Sequence, residues 1–71
     1  MSNESHIASL IGIINDILSD TANSAREAHL AMQDGDQNLA MGSLLPLQEQ
    51  LTSAQALYQT ANWLHCRRRE G

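Results

Sequence analysis

Chemistry in this chain would have to come from a few side chains: the histidines and thiol His6, His65 and Cys66, the carboxylate pairs Asp16/Asp20 and Asp34/Asp36, and the run Arg67-Arg68-Arg69. Imidazole and thiolate hold zinc when three or four of them converge tetrahedrally. Folding the chain about Gly35 would bring His6 towards His65 and Cys66, but neighbours on a helix point about 100° apart. The spacing therefore favours a hydrogen-bonded histidine over a ligand set, and no metal or other cofactor is expected. Carboxylate pairs can do acid–base work in a water-excluding cleft. Here one pair is a helical turn apart and the other flanks a glycine, positions usual for solvated groups. His29 stands alone. The chain has no glycine-rich phosphate loop, no GxSxG turn and no HExxH helix. An enzyme is not expected.

Eight carboxylates against four arginines and no lysine give a net charge of -4. Binding to a phosphate backbone draws on several Lys or Arg contacts, so nucleic acid is not the expected partner. Arg67, Arg68 and Arg69 fall where a second helix should end, and cations there complement the negative end of the helix dipole. Contact with an acidic partner or RNA is the alternative. A single cysteine excludes an internal disulfide framework and fits a reducing compartment. Ser9, Gly12, Asn15 and Asp16 interrupt the apolar stretch from Ile7 to Leu18, so neither a signal peptide nor a membrane span is expected. These features point to the cytoplasm.

The elements that must position these groups are helices. Ile7, Leu10/Ile11, Ile14, Ile17/Leu18, Thr21, Ala25, Ala28 and Met32 follow alternating three- and four-residue steps, as do Leu44, Leu47, Leu51, Ala54, Tyr58, Ala61 and His65. That spacing keeps side chains on one helical face, whereas a strand would alternate at every second residue. Gly35 stands where a left-handed cap is wanted, and Asp36 can cap the segment that follows. The connection is short, so the two arms should be antiparallel neighbours. Pro46 would remove a hydrogen bond to Gly42 and crowd its carbonyl. Either one kinked helix runs from Asp36, or a short helix over Gln37 to Met41 ends and a second begins with Ser43 as its cap. The expected class is all-α: one helical-hairpin domain over residues 1–71, with a kink or break near residues 42–46.

Such a hairpin has a single contact layer, and 71 residues lie near the lower limit for a stable monomer. The core must come from Ile, Leu, Ala and Met, because the chain has no Phe, one Trp and one Tyr. The expected core and dimer residues are Ile7, Leu10, Ile11, Ile14, Ile17, Leu18, Leu47, Leu51, Ala54, Tyr58 and Ala61. Ile13 lies beside the first stripe and widens it beyond what one neighbouring helix can cover. Dimerisation into an antiparallel four-helix bundle is the expected remedy. On a helical wheel, Leu45, Thr52, Ala56 and Trp63 gather on a second face. Trp63, Leu45, Ala56 and Ile13 are the candidates for binding a partner, since tryptophan is enriched among residues that dominate interface energy.

The expected function is a small non-enzymatic protein-binding module, of the kind phages and mobile elements carry, that docks on a larger protein to inhibit, sequester or regulate it. In architecture, an acidic helical hairpin that dimerises is similar to the Rop-like plasmid copy-number regulators, which would imply RNA binding. Those contacts use basic and polar residues along the first helix, where this chain offers only Arg26. The stretch Leu47-Gln48-Glu49-Gln50-Leu51, followed by Ala54 and Leu57, is similar to the second helix of hairpin co-chaperones of type III secretion needle proteins. That resemblance implies an apolar face covered by a tetratricopeptide-like chaperone instead of a second copy.

Overall fold

The computed structural model describes the backbone of residues 2–70 and the side chains of residues 4–67. Helices α1 (Ser2–Gln33), α2 (Gln37–Ser43) and α3 (Leu47–Glu70) follow in order, and no strand occurs among the described residues. One arm is α1. The other, α2 followed by α3, returns alongside it to make a rod of 55 × 15 × 12 Å.

The reversal is built as the sequence implied. Gly35 takes a φ of 79°, which costs a residue without Cβ little. The Asp36 amide then donates to the Ala31 carbonyl and the Gly35 amide to the Met32 carbonyl, both at 2.9 Å. These paired bonds satisfy carbonyls that the end of α1 would otherwise leave open. The Asp36 carboxylate accepts from the Leu39 amide at 3.0 Å and so starts α2.

The second arm is broken. Pro46 has no amide proton to give Gly42, and the Leu45 amide donates to the Gly42 carbonyl instead, at 3.2 Å. The Leu44 amide is shared between the carbonyls of Ala40 and Met41, each at 3.2 Å, and a tight turn over residues 44–46 follows. Regular bonding resumes where the Gln50 amide donates to the Pro46 carbonyl at 3.0 Å. Ser43 therefore closes α2 and does not cap α3, because the turn needed to clear the proline ring lies after it.

The inward seam differs from the expected stripes at several positions. On α1 it runs through Ile7, Leu10, Ile14, Ile17, Thr21, Ser24, Ala28 and Ala31. On the returning arm it runs through Ala40, Leu44, Leu47, Gln50, Ala54, Leu57, Ala61 and Leu64. The first set keeps the alternating three-four step throughout; the second keeps it from Gln50 onward, after two successive steps of three at Leu44, Leu47 and Gln50. The expected stripe shared Leu44, Leu47, Ala54 and Ala61 with the observed one, but chose Leu51, Tyr58 and His65 where the hairpin turns in Gln50, Leu57 and Leu64. Leu51 is 47% exposed and Tyr58 61%. Likewise Ser24 and Ala31 face inward in place of Ala25 and Met32, and Ile11 and Leu18 lie outside the seam. The physical reason is a polar match. Thr21 is buried, and its hydroxyl proton serves two acceptors, the Ile17 carbonyl at 2.9 Å and the Gln50 side-chain oxygen at 3.0 Å. Turning Gln50 inward gives its side-chain oxygen a donor across the seam, and the neighbours of Gln50 at helical spacing follow it.

Candidate protein-interaction surface

The groups able to do chemistry remain dispersed. The exposed Cys66 thiol points at the Asn62 side-chain oxygen, 4.0 Å away, and His29 lies 3.3 Å from the Gln33 amide nitrogen. Among the described residues, no three His, Cys, Asp or Glu side chains converge where an ion could sit. Arg26 donates to Asn23 on its own helix at 3.4 Å. Arg68 and Arg69 have side chains outside the described residues. No helix among the described residues is long and apolar enough to cross a membrane.

What the hairpin offers instead is apolar surface. Among the described residues no large side chain is fully buried, and the small core at the closed end consists of Ala28, Ala31 and Ala40 with Leu44 against them. Eleven large apolar side chains are exposed.

Seven of these, Ile11, Leu18, Met32, Leu51 and Tyr58 with Ile13 and Trp63, lie on two flanks of the hairpin. Ile11, Leu18, Ala25 and Met32 each follow an inward residue of α1 by one position, and Leu51, Tyr58 and His65 do the same on α3. Such residues sit on the same rotational side of each helix. Because α3 runs antiparallel to α1, its flank comes to the same face of the hairpin. The Thr21–Gln50 contact fixes the level, so that Leu18 lies beside Leu51 and Ile11 beside Tyr58. The opposite flank carries Ile13, Asp20 and Glu27 on α1 and Thr60 and Arg67 on α3, with Ala56 and Trp63 just outside them.

Of the four expected partner-binding residues, Ile13, Ala56 and Trp63 share this second flank, and all three are exposed. The guanidinium of Arg67 lies 5.0 Å from the centre of the Trp63 ring. A cation one turn away covers one face of the indole and limits its rotamers, leaving the other face to solvent. Sequence reasoning assigned Arg67 to the helix end and missed this pairing; the i, i+4 spacing of Trp and Arg was the available signal.

Leu45 does not join them. It lies in the turn over residues 44–46, 80% exposed, and some 27 Å along the helix axis from Trp63 at about 1.5 Å per residue. There it lines an open groove of about 510 Å³ with Met41, Leu44, Leu47, Gln48 and Leu51. The break that Pro46 imposes makes this groove, because the interrupted helix leaves the surface around Leu45 and Leu51 open. The groove is continuous with the first flank through Leu51.

Compared with protein-family models, curated proteins and solved structures, the chain matches none.

Proposed function

We propose that this chain is a non-enzymatic, cytoplasmic protein-binding module. It pairs with a second copy into an antiparallel four-helix bundle and docks on a larger protein to inhibit, sequester or regulate it. The observation that carries this reading is the excess of exposed apolar side chains over buried ones, on a rod with no enclosed interior. Apolar patches of that extent on a small domain mark interaction surfaces. Trp63 with Arg67 is the docking anchor, since both residue types are enriched among interface hot spots. Asp16, Asp20 and Glu27 lie along α1 beside this flank, so a client with an apolar pocket and a basic rim suits it best.

The test is capture from cells of the source organism with wild-type chain and with Trp63→Ala in parallel. The expected result is one predominant protein held by the wild type and lost with the variant. Recovery of RNA in place of protein, or of the same protein by both chains, would overturn the docking proposal.

A further inference from the structure

We propose that the flank formed by Ile11, Leu18, Ala25, Leu51 and Tyr58 is the face on which a second copy of this chain seats, leaving the Trp63 flank outward for the client. This deepens the function proposed above and rests on its self-association reading.

Charge decides between the two flanks. From Ala8 to Met32 on α1 and from Met41 to Asn62 on the returning arm, the first flank and the positions just outside it carry no carboxylate and no guanidinium. Asp16, Asp20, Glu27 and Glu49 all lie on other faces. Two copies can meet across the uncharged flank without desolvating an ion. Meeting across the other flank would require Asp20, Glu27 and Arg67 of each chain to be desolvated. That flank suits a chain of opposite charge, not an identical one.

Area points to the same occupant. The chain exposes 5413 Å². A compact monomer of 7.8 kDa is expected to expose about 4,400 Å². The excess, about 1,000 Å² per chain, compares with the ~800 Å² that each partner buries in a specific interface of standard size. Leu18 beside Leu51 and Ile11 beside Tyr58 form level apolar rows across both helices, and the groove at the break continues them. A self-complementary face of this kind closes after one pairing, which gives a dimer and not a filament.

The only tyrosine and the only tryptophan lie on opposite flanks, so the unmodified protein reports its own interface. At a concentration where sedimentation shows a dimer, Tyr58 is nitrated with tetranitromethane and read on its peptide, and Trp63 fluorescence is quenched with acrylamide. Tyr58 should react several-fold more slowly than in the urea-unfolded chain, while quenching of Trp63 stays the same at dimer and monomer concentrations. A shielded Trp63 with a freely reacting Tyr58 would overturn the face assignment and leave self-association standing. A chain that is monomeric throughout would remove both. The double variant Leu18→Glu, Leu51→Glu should keep its helicity and sediment as a monomer, and a dimer from that variant would also overturn the assignment. Should the variant unfold, the labelling of the wild type still decides.

Discussion

Trp63 and Gly35 are the two residues at which a single substitution has the clearest consequence. The indole is 56% exposed, so Trp63→Ala removes little that the folded chain uses internally. Helicity and mass should be unchanged, and client affinity measured by titration calorimetry should fall by about 2 kcal/mol or more, as at interface hot spots. Gly35 is the converse case. A Cβ there would meet nothing within 4 Å, yet the φ of 79° is strained for any L side chain. Gly35→Ala should therefore cost about 1 kcal/mol in urea unfolding through backbone strain alone. A loss near zero would mean that the turn relaxes to another form.

At the scale of elements, the Thr21–Gln50 bond crosses a seam otherwise lined here by apolar and small residues. Replacing Thr21 by Val and Gln50 by Leu together removes both partners of the 3.0 Å bond without orphaning either. The double variant should be at least as stable as the wild type, whereas Gln50→Leu alone leaves the buried hydroxyl with only its own Ile17 carbonyl. Thermal unfolding of the three chains separates these outcomes, and equal midpoints would deny the contact any role. The same contact explains what could be read in advance. The helices, the turn at Asp34-Gly35-Asp36 and the break before Pro46 were legible because glycine, aspartate and proline act through their own backbone, locally. The inward face of the second arm was not. Leu51 and Tyr58 fit a three-four step as well as Gln50 and Leu57 do, and hydrophobicity favours the former. Only the partner across the seam, Thr21, decides for Gln50, and that information lies in the other helix. The pairing of Ile13 with Ala56 and Trp63 was legible as a set of non-core residues. Their placement on one flank depends on that same inward face, and Leu45 dropped out because the turn at residues 44–46 breaks the wheel on which it was placed.

For the whole molecule, the decisive quantity is how much apolar surface the folded chain still shows to water. Leu57→Ala, which hollows the seam, should lower stability by about 2 kcal/mol, the low end for a partly buried leucine. Leu51→Ala should instead weaken association, and its effect on the unfolding midpoint should grow with protein concentration, as linkage to a dimer requires. Sedimentation equilibrium of the wild-type chain at micromolar concentration tests most directly the proposal that the hairpin is half of a larger core. It should return twice the chain mass of 7.8 kDa with full helicity. A well-folded particle with the mass of a single chain would contradict it.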